Sequence, residues 1–457
     1  MLNKKHINNF QNILPRNYVL SEPGDCWAYG YDNSKIHVMP ACVLFAENKD
    51  QIQSIIKYCF KENISVTTRG RGTGNTGGSV PIGNSIVLSL EKMNKILNID
   101  TKNRFAVVEP GVINKVLQDK LNVENFFWGP DPSSLEYSTI GGNIANNSAG
   151  PRAVKYGTPR DNILGLEFVS GTGDIHKTGV KTSKGVVGLD LTRLFTGSEG
   201  ILGVLTQATL KILPISKSIK TIEITFENII DASEMIINLM SQPITPYTLE
   251  FVDSESIKLI NSIKKNHYDH NTKAGILLEI DGEDEYIDII LKKIISVIKK
   301  NKLKKITVAK NPLEVKQLWS ARKSLSPALR SIGEYKINED IAVPISNLTK
   351  LLDKLDEISK KYNTKIVNFG HGGNGNIHVN LIFQSEVEKN SKKTKKCLDE
   401  IFDLVLNLEG TISGEHGIGI IKKNYIQKEI NKETLLLMKN IKNQFDPKNI
   451  LNPSKSI

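Results

Sequence analysis

Ser65-Val-Thr-Thr-Arg69-Gly-Arg-Gly-Thr-Gly-Asn-Thr-Gly-Gly78 reads as a short β-branched strand running directly into a glycine-rich loop. Glycine accepts positive φ without steric cost, so such a loop can turn its backbone N–H groups onto a bound anion. A pyrophosphate is the natural occupant. Gly72, Gly74 and Gly77 satisfy the GxGxxG spacing of a dinucleotide fold, but that pattern alone fits a purely structural turn as well. An acidic residue closing a second parallel strand, which a nicotinamide site requires, is missing. Nor does the loop end in the Gly-Lys-Ser/Thr of a nucleoside-triphosphate loop. Around it, apolar runs alternating with helical periodicity predict strands over 41–45, 65–68, 85–90 and 105–109, and a helix over 50–62.

Two more small-residue segments follow. Gly129-Pro-Asp-Pro-Ser-Ser134 leads to Ser138-Thr-Ile-Gly-Gly-Asn-Ile-Ala-Asn-Asn-Ser-Ala-Gly150, read as a loop over 139–150, and Thr196-Gly-Ser-Glu-Gly-Ile-Leu-Gly203 comes later. Loops rich in Gly, Ser, Thr and Asn at such separations can grip different parts of one long ligand. Strands over 162–169 and 203–213, the second closed by Pro214, complete an α+β unit of ordinary domain size. From residue 219 the texture changes. Strands over 221–226, 249–252, 275–281 and 304–309 alternate with helices over 232–239, 285–300 and 312–325, and further helices cover 387–408 and 432–445.

The second half carries its own chemistry. In His371-Gly-Gly-Asn-Gly-Asn-Ile-His-Val-Asn380 a loop becomes a strand, and strand alternation puts His378 and Asn380 on one face with Ile377, Val379 and Leu381 on the other. In Gly414-Glu-His-Gly-Ile-Gly419 the glycines let Glu415 and His416 converge. A lone histidine on a strand is usually structural. Here three of the chain's eight histidines fall in two glycine-rich stretches. Two imidazoles and a carboxylate with open positions suit Zn²⁺, Mn²⁺ or Fe²⁺ in a catalytic role. The HExxH spacing of a metalloprotease is absent. Arginine is scarce, nine residues in a lysine-rich chain. Arg322 and Ser326 lie four apart on a helix and share a face. A guanidinium there fits bidentate recognition of a carboxylate, against the plainer reading of a solvated helix charge. Arg330 fits only the plainer one, and Trp319 reads as core packing.

At 457 residues two or three domains are expected. The formal net charge of +11 raises the question of nucleic acid. Its lysines sit on helix faces that read as exposed (Lys292, Lys293, Lys299, Lys300), with no aromatic-interleaved basic patch, which argues against nucleic acid. An acidic substrate or an anionic membrane surface suits the charge equally well. No apolar stretch approaches the roughly 18 residues of a membrane helix, and the first residues read as no secretory signal. Four cysteines without CxxC spacing point to a reducing cytoplasm and against an iron–sulfur cluster in this chain.

In order and spacing the three small-residue segments resemble the FAD-binding half of the vanillyl-alcohol oxidase / p-cresol methylhydroxylase flavoprotein family. The likeness is greatest to its D-lactate, glycolate and D-2-hydroxyglutarate dehydrogenase branch and runs from about residue 40 to Pro453. It implies an α+β fold: a two-subdomain FAD-binding domain over 1–215 (core 36–214), a ferredoxin-like substrate domain with a metal site over 216–425, and a C-terminal helix over 426–457 returning to the first domain. It implies FAD held through Arg69, Gly70, Gly72, Thr73, Gly74, Asn75, Gly77 and Gly78. Pro130, Ser138, Thr139, Gly141, Gly142, Asn143, Asn146, Ser148, Ala149 and Gly150 would form a second grip, with Gly200 and Ile201 a third. Members that attach the flavin covalently often carry a histidine in the first loop; none stands here, so non-covalent FAD is expected.

By the same resemblance His371, His378 and Glu415 ligate a divalent metal, zinc first, with manganese or iron as alternatives. His416 is the base, Asn380 hydrogen-bonds the substrate, and Arg322, Ser326 and Lys336 bind its carboxylate. Asn374 stands where an aspartate is more usual. The implied activity is oxidation of a small D-2-hydroxy acid to its 2-oxo acid. An external acceptor (a quinone, an electron-transfer flavoprotein or an iron–sulfur subunit) would take the electrons. A cytoplasmic protein, peripheral at the inner membrane face or homodimeric, fits this reading. The alternatives are an FAD-binding subunit of a larger glycolate-oxidase-like complex, or a flavin oxidoreductase acting on a different substrate.

Overall fold

The computed structural model describes residues 2–265 and 267–457, and the chain divides into two compact units. One comprises Met1–Gly150, Tyr156–Ile215 and Glu415–Ile457; the other comprises Pro151–Lys155 and Ser216–Gly414. The chain re-enters the first unit at Glu415, ahead of the expected 426, so Glu415 and His416 belong to the unit of the glycine-rich loops.

Within the first unit, a four-stranded sheet runs in the order Val19–Leu20, Val43–Phe45, Ile86–Ser89, Val66–Arg69. The last three strands are parallel, which demands a crossover connection. Helix Lys49–Glu62 provides it, started by Asn48 accepting from the Gln51 N–H and ended by Asn63 in the left-handed region at φ 53°. Its Ile52, Ile55, Ile56 and Cys59 recur at helical spacing and share one core with Leu44, Val66 and Leu88. Burying each such aliphatic side chain stabilises by about 1.5–3 kcal/mol. The first glycine-rich loop therefore leaves a strand anchored from both sides.

The second sheet of this unit runs Ile96–Asp100, Phe105–Val108, Val204–Pro214, Ile163–Val169, Ile175–Gly179, with Phe126–Trp128 paired to the far end of Val204–Pro214. Trp128 is fully buried there and donates its indole N–H to the Asn162 carbonyl at 3.1 Å. One expectation needs correcting. The segment read as a loop over 139–150 contains a helix, Ile140–Asn146. The Thr139 hydroxyl accepts from the Gly142 N–H, Ile140 and Ile144 bury a shared face, and Asn147 closes the turn at φ 54°. Capping and one apolar stripe outweigh the two adjacent glycines.

The second unit is built on a seven-stranded antiparallel sheet in the order Lys305–Val308, Ser218–Phe226, Ala274–Gly282, Thr248–Val252, Lys365–His371, Asn376–Phe383, Tyr335–Ala342. Its register sorts the side chains. Ile222, Leu278, Leu249 and Phe251 share one face, as do Ile377, Val379 and Leu381 farther along. The opposite face carries Thr221, Glu279, Thr248 and Glu250, then His371, His378, Asn380 and Asp340. Helices Ile229–Met240, Ile287–Ile298 and Leu348–Lys361 bury Ile236, Ile294 and Leu355. Over one end of the polar face, Ile260, Ala321 and Leu325 pack with Val367 and Phe369. The polar residues are thus concentrated where the helices leave the sheet to the site.

Two further expectations shift. The helix over 387–408 is two, Glu386–Lys389 and Lys392–Asn407, because Ser391 caps the second by accepting from the Thr394 N–H. The helix over 312–325 stops at Lys323, and Ser326 lies in the short helix Leu325–Ala328 that follows. Among the described residues no helix is long and apolar enough to cross a membrane, and Lys292, Lys293, Lys299 and Lys300 are exposed.

Candidate active site

In the first unit the three small-residue segments adjoin one another. A β-carbon at Gly70 would collide with the Thr139 hydroxyl, so the first loop lies directly against the start of the second. Arg69 is buried and spends its guanidinium on the Tyr31 carbonyl at 2.7 Å and the Ser79 hydroxyl at 3.4 Å. Its side chain holds the loop's shape. Asn143 likewise faces inward, accepting from Asn114 at 3.0 Å and Ser138 at 3.4 Å. Pro130 offers its carbonyl to the same Asn114, and the Ile201 carbonyl accepts from Lys442 at 3.0 Å. These residues order the backbone of the loops.

Other polar atoms there are unspent. Asp32 Oδ2, Thr68 Oγ1 and Ser198 Oγ are buried without a hydrogen-bond partner, an arrangement that costs free energy unless a ligand answers it. Such atoms beside glycines that allow close approach fit a long, polyhydroxylated dinucleotide.

Gly414–Gly419 is threaded among the same loops. The Glu415 carboxylate accepts from the Ala149 and Gly150 N–H groups at 3.2 and 2.9 Å, tying it to the end of the second loop. The His416 carbonyl accepts from the Thr76 hydroxyl of the first loop at 3.2 Å. Glu199 of the third segment accepts from the Ile418 and Gly419 N–H groups, both at 2.7 Å. Burial pushes the Glu199 carboxyl up, and those two N–H groups pull against it. Half-buried His416 is therefore carried by the unit of the glycine-rich loops itself.

In the second unit, His371 and His378 are both buried at 8% exposure on neighbouring strands, with ring centroids 5.3 Å apart. Glu250 on the adjoining Thr248–Val252 strand unites the site. Its side chain is 1% exposed; one carboxylate oxygen lies 2.6 Å from His371 Nδ1 and the other 2.7 Å from Arg322 Nη2. Burial alone would raise this carboxyl, but neighbouring His371, Arg322 and His378 hold it below its ordinary value. Arg322 also stacks over the Phe369 ring at 4.8 Å, and its Nε is buried without a partner. His378 Nδ1 lies 3.6 Å from Asp340 Oδ1, which accepts from Asn376 at 2.7 Å.

The remaining expected residues are distributed unevenly. Asn380 is wholly buried, giving its amide to the Val367 and His378 carbonyls while Asn338 donates to it at 2.6 Å. A substrate contact there requires exchanging one of those bonds. Lys336 lies on the edge strand opposite Ile382, on the same face as Asn338 and Asp340. Ser326 and Arg330 are exposed. Sequence reasoning overlooked Glu250, Asp340 and Glu199. The available signal for Glu250 was an acid bracketed by Leu249 and Phe251 in an apolar strand, since a buried carboxylate persists only when paired.

Residues 40–179 match the family described as "FAD binding domain", and residues 215–456 match "FAD linked oxidases, C-terminal domain". The chain is 38% identical to the glycolate oxidase subunit GlcD of Bacillus subtilis, over 96% of this chain and 94% of that one. It is 32% identical to the D-lactate dehydrogenase of Archaeoglobus fulgidus, over 94% and 95% of the two chains. Among solved structures, p-cresol methylhydroxylase with substrate bound superposes with a TM-score of 0.81 at 19% identity, over 99% of this chain and 96% of that one, a likeness of fold. The two-sheet loop unit, the polar-faced sheet unit and these matches agree, and the chain belongs to the FAD-linked oxidases of the vanillyl-alcohol oxidase / p-cresol methylhydroxylase fold.

Proposed function

We propose that this enzyme oxidises a small D-2-hydroxy acid (glycolate, D-lactate or D-2-hydroxyglutarate) to the corresponding 2-oxo acid. The observation that carries the reading is the Glu250 clamp, one buried carboxylate bonded to both His371 Nδ1 and Arg322. With Nδ1 committed to Glu250, His371 offers Nε2 as its ligand atom. The same carboxylate orients a guanidinium whose Nε is unspent. A metal ligand and a carboxylate-binding cation fixed by one group answer the two functional groups of an α-hydroxy acid. Relatives named glycolate oxidase subunit and D-lactate dehydrogenase support that substrate class.

In this reading His371, His378 and Glu415 hold a divalent ion, zinc first and manganese or iron next. Bound FAD supplies a two-electron acceptor, and the ion supplies Lewis acidity toward the hydroxyl. The chain's own residues do the rest. Arg322 pairs with the substrate carboxylate, with Ser326 and Lys336 as further donors, and so selects the face of C2. Asn380 holds the substrate oxygen. His416 takes the hydroxyl proton. The first loop carries no histidine for covalent attachment.

All four cysteines are buried, and burial raises Cys397 to about 11 and pushes the Cys42 and Cys59 thiols up as well. Thiols held protonated are poor cluster ligands, so electrons leave to an external quinone, flavoprotein or iron–sulfur partner. A second reading, an FAD-bearing subunit active only with partners, is favoured by the word "subunit" in the name of the Bacillus relative.

Turnover of the three acids with a dye acceptor, before and after exhaustive chelation, tests the proposal. Metal removal is expected to lower the rate at least ~100-fold, with recovery on adding Zn²⁺ or Mn²⁺. Unchanged turnover by protein verified metal-free would remove the ion from the reaction. Flavin-loaded protein that turns over none of the three would favour the second reading.

A further inference from the structure

Glu199 is a buried acid that the proposed chemistry does not use. Its two carboxylate oxygens diverge, one to the Ile418 N–H and the other to the Gly419 N–H, each at 2.7 Å. Those amides follow His416 by two and three residues. Gly417 and Gly419 both have positive φ, 83° and 53°, and a β-carbon at Gly419 would collide with the Thr76 carbonyl. The turn that carries His416 is therefore a conformation that glycine permits and a neighbour must hold.

Glu199 is itself held under strain. It is a non-glycine residue at φ 52°, a cost tolerated where surrounding structure over-determines the geometry. The C-terminal tail supplies that restraint. Asn452 donates to the Glu199 carbonyl at 2.7 Å, and Ser456 donates its N–H to the Gly419 carbonyl at 3.1 Å. Buried Lys455 donates to the Gly78 carbonyl of the first loop at 2.9 Å and to the Asn452 side chain at 3.3 Å. The tail, the first loop and the third segment all converge on one turn.

We propose that Glu199 is a positioning residue for His416, its carboxylate clamping the Ile418 and Gly419 amides so that the imidazole is presented at a fixed place beside the flavin loops. The inference rests on His416 being the base. A carboxylate is required because two divergent N–H donors need one acceptor oxygen each. A glutamine supplies one acceptor and sets its own amide hydrogens against the second donor.

The test uses the full-length, FAD-loaded enzyme and Glu199→Gln. Hydrogen exchange of the peptide containing 416–420 is expected to accelerate roughly tenfold or more, as loss of a charge-assisted bond implies, while peptides from the second unit stay unchanged. kcat is expected to fall ~10- to 100-fold with KM within about twofold, because orientation rather than binding is lost. In a double-mutant cycle the Glu199→Gln effect should vanish on a His416→Ala background. Unchanged exchange at 416–420, or the same fold loss on both backgrounds, would overturn the inference. Near-normal activity of His416→Ala would instead overturn the assignment of the base. Should Glu199→Gln lose its flavin, Glu199→Asp, which keeps the charge and withdraws the carboxylate from the two amides, passes through the same cycle, with the same outcomes deciding.

Discussion

Replacing His416 by alanine is expected to lower kcat/KM for the hydroxy acid by about 10²- to 10⁴-fold, the range a positioned general base contributes. FAD should stay bound. The loops that form its pocket keep their own anchors, Arg69 on the Tyr31 carbonyl and Asn143 on Asn114. The backbone of His416 joins that scaffold through its carbonyl, which accepts from Thr76, and alanine keeps the carbonyl. Loss of rate without loss of flavin absorbance, measured by stopped-flow reduction, is the expected pattern. Because the hydroxyl must still lose its proton, the residual rate should rise with pH as hydroxide replaces the imidazole. Flavin loss in step with rate would mean that His416 is structural.

Truncating Glu250 to alanine is expected to cost about 3–5 kcal/mol, the penalty for leaving a buried charge without its partner. Arg322 would lose its ion pair with this buried carboxylate, and His371 the acceptor for Nδ1. At roughly 2–4 °C per kcal/mol for a unit of this size, the thermal midpoint should drop by on the order of 10 °C. Glu250→Gln, which keeps the shape, should cost less stability and still lower metal content about 10- to 100-fold, because it no longer fixes the tautomer of His371. Calorimetry with elemental analysis separates the two effects. Wild-type metal content in Glu250→Gln would show that the clamp does not orient the ligand.

The difference between what was legible in the chain and what was not has a physical pattern. Strands buried on both faces announce themselves, which is why a strand over 162–169 was expected within a residue of Ile163–Val169, and why the alternation over 377–381 was legible inside Asn376–Phe383. Tyr335–Ala342 was missed because its sequence, Tyr-Lys-Ile-Asn-Glu-Asp-Ile-Ala, is polar on the face that meets His378 and Asn380. A strand that lines a site lacks the apolar signal that identifies strands. Glu250 was hidden for the converse reason, inside a run apolar enough to be read as pure core. The loops and the histidines were legible because glycine and histidine are chosen for conformation and chemistry, which composition exposes. Glu199 was not, since its partners are backbone N–H groups more than 200 residues away in the chain. Such partners leave no trace in side-chain spacing.

Anaerobic reduction of the bound flavin tests the central claim most directly. D-lactate, glycolate and D-2-hydroxyglutarate are added in turn, with L-lactate as the control for the face of C2, and the visible absorption of oxidised FAD is followed. Bleaching by at least one of the three acids, faster with D-lactate than with L-lactate where lactate reacts, and abolished when the metal is removed, is the predicted result. A fully flavin-loaded, metal-replete protein that none of the acids bleaches would contradict it.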